Sequence, residues 1–419
     1  MAADFWASSH HKRWIVDRAT VRRARAVDLL YVDDPVYLEY FAIYFANVIT
    51  KLGKKLGLRQ RVIATATVFF RRFYLKNAYC ETDPFLVIAA CCYVAAKAEE
   101  SPIHIKTVIS EARSLFSQEM YGVKNFPSDN SKLAEMEFYL VDDLECDLTV
   151  FHPYRTLLTL CKKESELDPS ATPAEEGEAG EVGSSGFSGL SGAGNLGVGI
   201  GADDGPRYWG TGEGKLELST GALQTAWFII NDTYRSDICL LYPPHLIAIS
   251  AIYLTFILHN PTRSTITPLL SSSSSSSPLS SSTTPTQSTD EPQKPRRSSR
   301  NTSQAHSSST PSQQSGEKKT QDPITFLSEL SVSLPLISTI SQEIISLYTL
   351  WDRYKEDAHP EAKTSAAHAS HTYTTTSIII TPSFLSGLLA TMRELRVADV
   401  TRGPGVAVNK MLERTQAAG

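Results

Sequence analysis

The sequence predicts an all-α protein of two similar helical bundles, interrupted by two low-complexity insertions, and three observations carry that reading. Apolar residues recur at three-and-four spacing along most of the chain, with few strand signals and short connections. A pattern repeats after a shift of 160 residues, so that Ala66, Tyr74, Pro84, Leu86 and Tyr93 fall on Ala226, Tyr234, Pro244, Leu246 and Tyr253 without a gap. Two stretches lack the apolar residues to build a core. One, from about 165 to 217, is acidic and then Gly/Ser-rich; the other, from about 260 to 322, is Ser/Thr/Pro-rich. Their composition reads as disorder.

Residues 1–36 form an N-terminal segment with Phe5, Trp6, His10 and Trp14 ahead of the basic stretch Lys12 to Arg25. Its simplest reading is an amphipathic helix packed on its own bundle. The first bundle, 37–150, begins with a periodic helix from Tyr37 to Leu52 that stops at Gly53. A second amphipathic helix runs from Arg59 to Leu75, its "RRFY" end placing cations in the last turn, where they suit the dipole. Asp83 stands at an N-cap position with Pro84 at the first helical position, the preferred order for a helix start. From Phe85 to Ala96 no residue is charged, so this helix is apolar on every face and belongs at the centre of the bundle; Ser101-Pro102 ends it. Shorter helices near 104–116 and 130–144 complete five. "HPYR" at 152–155 opens the second bundle, 151–357, where Pro153 fits a first turn and His152 is expected to pack or cap rather than catalyse. A tail, 358–419, holds one further candidate helix at 383–396.

The uncharged helix ends in Lys97, followed by Glu99 and Glu100. A lysine in a last turn interacts well with the helix terminus, by roughly 0.3–1 kcal/mol, and that plain account stays open. Two glutamates are unfavourable at the same end, however. The second copy carries Ile257 where the first has Lys97, so the bundle itself requires no charge there. The rival is a polar contact surface at the head of the buried helix. In "LAEMEFYL", Glu135 and Glu137 interrupt a helix with Leu133, Met136, Phe138 and Leu140, as ordinary amphipathic glutamates would. In "IINDTYRSD", Asn231, Asp232 and Arg235 follow the apolar Trp227 to Ile230, which is simply read as a polar helix end.

Composition excludes several functions. A net charge of −5 and a pI near 6.1 give no global field that attracts nucleic acid or an anionic membrane. The longest apolar runs, 85–96 and 246–258, are too short to span a bilayer core of ~30 Å. Six cysteines without a CxxC pair fit reduced, buried thiols, and the chain reads as soluble and unsecreted. Gly192 to Gly197 satisfy GxGxxG, but no strand precedes them; His368 and His371 have no supporting carboxylate for zinc. HRD and DFG are both missing, so the chain is not itself a kinase. No cofactor, metal or catalytic residue is expected.

"DFWASSHHKRW" (4–14), "LRQRVIATATVFFRRFY" (58–74), "AAKAEE" (95–100), "EMEFYLVDDLECDLTVFHPYR" (135–155) and "IINDTYRSDICLLYPP" (229–244) together resemble the cyclins, most closely the cyclin C group of the Mediator kinase module. The resemblance covers about 1–160, 218–259 and 323–357. It implies two tandem five-helix cyclin boxes and a non-catalytic subunit that binds and activates a cyclin-dependent protein kinase of that module. Other module subunits are then partners, the setting is RNA polymerase II transcription in the nucleus, and neither nucleic acid nor membrane is bound directly. Cyclins carry a lysine at the end of the central helix and a glutamate on the fifth helix of the first box, which match Lys97 and Glu135. The resemblance accordingly implies a kinase interface of Lys97, Glu99, Glu100 and Glu135, with Phe5, Trp6 and Trp14 from the preceding segment. It also implies a groove for a scaffold subunit, lined by Trp227, Asn231, Asp232 and Tyr234.

The helix "YFAIYFANVITKLG" departs from the substrate-recruiting pattern of cell-cycle cyclins. Ser277-Pro278, Thr284-Pro285 and Thr310-Pro311 offer phosphorylation sites, and "KPRRSSR" at 294–300 is a weak nuclear signal. Alternatives are another transcriptional cyclin, or a cyclin-box factor of the general transcription factor IIB type bridging promoter DNA. The latter usually brings a zinc ribbon and a basic face, and neither is evident.

Overall fold

Burial of the uncharged run organises the first bundle. The computed structural model describes residues 4–123, 125–163, 216–264, 323–356 and 379–402. Helices α1 (Ser9–Trp14) and α2 (Arg18–Ala24) and a 3₁₀ turn (Asp28–Tyr31) lead into α3 (Val36–Lys55), α4 (Gln60–Phe73), α5 (Pro84–Ala98), α6 (Ile105–Phe116) and α7 (Ser131–Asp143). Helix α5 is the central one, touching α3, α4, α6 and α7. Asp83 caps it by accepting from the Phe85 N–H at 3.1 Å, and Pro84 takes the first position. Around it stack Phe41, Phe45, Phe69, Phe70 and Phe73, all buried. Expected and observed helix ends differ by a few residues.

The second group comprises α8 (Pro153–Leu160), strands β1 (Cys161–Lys163) and β2 (Leu216–Leu218), α9 (Thr220–Thr233), α10 (Ile238–Leu241), α11 (Pro244–Leu258), α12 (Pro323–Glu329) and α13 (Leu334–Trp351). Helix α11 repeats the role of α5, packing on α8, α9 and α13. The strand pair is parallel, Cys161 opposite Leu216 and Lys163 opposite Leu218. It corrects the expected edge of the first insertion. Leu216 and Leu218 alternate with Glu217, so an extended chain sends both leucines into the core, where they are buried. At the second insertion, after the extended His259, a further helical stretch covers residues 260–264. The remainder of both insertions, and with it the GxGxxG motif, the Ser/Thr-Pro sites and "KPRRSSR", lies outside the described residues, as do His368 and His371 of the tail.

The two groups are locked by polar contacts that no local pattern announces. Arg71 of α4 is 6% exposed and donates to the Tyr234 and Ala42 carbonyls while pairing with Asp237 at 2.7 Å. The N-terminal segment runs across both groups. Val16 N–H donates to the Leu240 carbonyl at 2.8 Å, and Arg18 pairs with Glu343. The C-terminal helix α14 (Pro382–Arg402) packs on α3 and the Asp28–Tyr31 turn, so the candidate helix of the tail belongs to the first group.

Candidate docking site

The C-terminus of α5 is built as a closed cap. Ser101 N–H donates to the Ala96 carbonyl at 2.8 Å and Glu100 N–H to the Lys97 carbonyl at 3.2 Å, the paired bonds of a Schellman ending. That ending needs a left-handed residue, and Glu100 supplies it with φ 55°. Glycine is the usual occupant, since a side chain in this region costs of order 1 kcal/mol or more. Glu100 is exposed.

Lys97 projects from this cap. Its Nζ lies 2.6 Å from a Glu137 carboxylate oxygen on α7 and 4.1 Å from the centre of the Tyr93 ring. Partial desolvation works against the ammonium, but the Glu137 bond and the Tyr93 contacts outweigh it and hold its pKa above the usual lysine value. Glu135, the residue matched to the fifth-helix glutamate, pairs instead with Lys132 on its own helix at 3.2 Å. Phe138 also departs from expectation. Leu133, Met136 and Leu140 share the buried face of α7, whereas Phe138, two residues or about 200° from Met136, points away and is 76% exposed. The sequence groups it only with the apolar residues of this helix. Lys97, Tyr93 and Glu137 thus bring together charge and aromatic surface at the head of α5, and Phe138, next to Glu137 on α7, leaves a phenyl ring uncovered.

Glu99 serves the chain itself. Its carboxylate accepts from Arg61 and, at 2.7 Å, from the Thr65 hydroxyl. Since Thr65 donates there, it accepts from His152 Nε2 at 2.8 Å; His152 Nδ1 in turn accepts from the Tyr234 hydroxyl at 2.7 Å. This relay joins the end of α9 to the cap of α5. Burial, with the nearby Arg61 and Arg72, pushes the His152 pKa down to about 3, so the ring is neutral.

Trp14 does not face outward, contrary to its assignment to an interface. It is 3% exposed, its Nε1–H donates to Asp147 at 2.9 Å and the Arg72 guanidinium stacks on it at 5.0 Å. Phe5 and Trp6 are half-buried against Phe151 and His245, with ring centres 5.5 Å apart in each case. All three hold the N-terminal segment to the bundles.

Tyr234, assigned to a groove, is likewise buried at 5% exposure. The other three groove candidates are half-buried: Trp227 stacks by Tyr154 at 4.5 Å, and Asn231 accepts from the Tyr154 hydroxyl at 2.7 Å. Asp232 pairs with Arg235 at 2.9 Å and accepts from the Tyr348 hydroxyl at 3.0 Å; desolvation raises its pKa despite both. Arg235 lies 4.0 Å over Trp351, and a shallow depression of about 280 Å³ is lined by Tyr348, Trp351, Asp352, Tyr354 and Lys355. The sequence reading missed Tyr348 and Trp351 because they follow Asp232 by more than 110 residues, across an insertion. Among the described residues, no cluster of His, Cys, Asp and Glu is placed to hold a metal, and no helix is long and apolar enough to cross a membrane.

Residues 39–149 match the family described as "Cyclin, N-terminal domain". The chain is 37% identical to the RNA polymerase II holoenzyme cyclin-like subunit of Mycosarcoma maydis, over 84% of this chain and 90% of that protein. It is 34% identical to cyclin-C of Drosophila melanogaster, over 62% of this chain and 78% of that one. Among solved structures, a chain of the CAK complex from Chaetomium thermophilum is similar at 16% identity, covering 64% of this chain and 73% of that chain, with a TM-score of 0.39. Identity sustained across both helical groups in the M. maydis protein, together with the matched domain around the α5 cap, shows that the chain belongs to the cyclin family.

Proposed function

We propose that this cyclin is the regulatory subunit of a cyclin-dependent protein kinase in the Mediator kinase module, acting in RNA polymerase II transcription in the nucleus. The observation that carries the reading is the α5 cap: Lys97, held by Glu137 and Tyr93, projects from a closed helix end, and Phe138, next to Glu137 in the chain, is exposed. A half-exposed cation on a helix end and an uncovered aromatic ring on the neighbouring helix suit a protein partner that buries both. Glu100, also exposed, lies at the same helix end. The partner binds through its αC region. Holding that helix in favours the state in which its glutamate reaches the ATP-binding lysine, and the cyclin supplies no catalytic atom. The relatives' names, cyclin-C and RNA polymerase II holoenzyme cyclin-like subunit, support this assignment.

A second subunit of the module docks in the groove beside Trp227, Asn231 and Asp232, with Tyr348 and Trp351 supplying the aromatic wall in place of Tyr234. Affinity purification of the full chain from nuclear extract, followed by mass spectrometry and a peptide phosphorylation assay, tests the proposal. Recovery of a cyclin-dependent kinase whose activity rises with added cyclin is the expected result. Recovery of promoter DNA binding without any kinase would favour the alternative cyclin-box factor and overturn this one.

A further inference from the structure

Given the kinase-docking reading of the α5 cap, on which this rests, we propose that Thr65 and His152 are positioning residues for the kinase. With Tyr234 of the second bundle they hold Glu99, and Glu99 holds the closed helix ending that presents Lys97 and Glu100. Neither residue reaches the docking surface: Thr65 is 0% and His152 9% exposed. The Glu99 side chain is 8% exposed, against 44% for Lys97. With a neutral His152 ring, every donor of the relay points toward Glu99. The Tyr234 hydroxyl donates to His152 Nδ1 at 2.7 Å, Nε2–H donates to the Thr65 hydroxyl at 2.8 Å, and Thr65 donates to the carboxylate at 2.7 Å. Only a carboxylate that stays in place satisfies this order, because a broken link strands a buried donor or acceptor. Arg61 grips the same carboxylate from the solvent side.

Glu99 is the residue at which α5 ends, and the next one, Glu100, is left-handed at φ 55°. A side chain persists in that region when its surroundings fix the backbone around it. On one side Ser101 N–H bonds the Ala96 carbonyl at 2.8 Å; on the other stands the anchored Glu99. The second bundle supplies a control. Its repeat puts Gly221, Thr225 and His259 where the first copy has Arg61, Thr65 and Glu99. Thr225 donates to the Gly221 carbonyl of its own helix at 2.8 Å, and the His259 ring meets Thr262 at 2.8 Å. Without an anchored carboxylate α11 ends extended, with His259 at φ −82° and ψ 102°. The bundle plan therefore requires neither the relay nor the closed ending. The two occur together, at the end that carries Lys97 and Glu100.

In the full chain, Thr65→Val should weaken binding of the co-purified cyclin-dependent kinase about tenfold in titration calorimetry, the loss expected when only about a tenth of the molecules hold the competent ending. The Ser101 amide should exchange its hydrogen about tenfold faster, while the Leu144 amide at the end of α7 keeps its rate. Thr65→Ser, which returns the hydroxyl, should restore both. Tyr234→Phe removes one oxygen, keeps the ring and should act in the same direction; added to Thr65→Val it should cause no further loss, because the relay is already open. It also carries the test if Thr65→Val does not fold. Wild-type binding by the relay variants beside a weakened Lys97→Ala would overturn the proposal and leave the docking reading intact. So would a loss that serine does not rescue, or additive losses, either of which means general loosening of the fold. Undiminished binding by Lys97→Ala would overturn the docking reading instead, and the Ser101 exchange rate would then decide whether the relay sets the ending.

Discussion

Helices α5 and α11 are one design used twice. Each has 15 residues, begins with proline at the first position and buries most of its side chains against a ring of neighbours. Their heads differ. Lys97 ends α5 with an ion pair and a left-handed Glu100, while the corresponding Ile257 ends α11 as a 42% exposed aliphatic group, followed by an extended His259. Their starts differ too, since Asp83 caps α5 and Pro243 gives α11 no side-chain cap. The shared part answers to burial, which both bundles need; the unshared part touches solvent, where packing makes no demand and a partner can.

The comparison breaks most readily in the cores. Ile88→Ala in α5 and Ile249→Ala in α11 remove side chains that are both fully buried, and each should cost about 2–5 kcal/mol in calorimetric unfolding. A cost near zero in one copy would deny the two helices equal weight.

At the heads, Lys97→Ala should weaken kinase binding at least about tenfold by titration calorimetry, because a charge buried at an interface loses its partner. Free-protein stability should change by no more than about 1 kcal/mol, since Lys97 and Glu137 are part-exposed in the uncomplexed chain. Phe138→Ala should weaken binding in the same assay, and Ile257→Ala should leave it unaltered. Equal losses from Lys97 and Ile257 would erase the distinction.

Between the copies sits His152. Its folded pKa, about 3, is below that of an unfolded histidine near 6.5, so the unfolded chain binds the proton first. Stability is therefore intact above pH 6.5 and falls as pH drops toward 3, by on the order of 2 kcal/mol between pH 6.5 and 5. His152→Gln should flatten that slope in thermal melts, leaving the part owed to His10 and His245, whose pKa values burial also lowers. The smallest effect is expected at Glu100→Gly, which relieves the left-handed side chain and should stabilise by about 1 kcal/mol. A loss of stability would mean that the cap tolerates glutamate without strain.

Much of this molecule was legible in the chain because its strongest signals are local. The run from Phe85 to Ala96 has no charge and must be covered, Asp83-Pro84 must start a helix, and the 160-residue repeat states the plan twice. Lys97 was legible by contrast with Ile257. Its partner was not: whether Glu135 or Glu137 faces it depends on the rotation of α7 about its axis, which the packing of Leu133, Met136 and Leu140 decides. The same holds for Trp14 and Tyr234, aromatic residues that look exposed in sequence but are buried by Arg72, Asp147 and His152 from distant segments. Helix α14 could be foreseen as a helix; only the groove on α3 could say where it sits. Periodicity and capping act within a few residues, so the sequence alone determined the elements and the repeat. Docking faces arise where elements far apart in the chain meet, and those the tertiary structure decided.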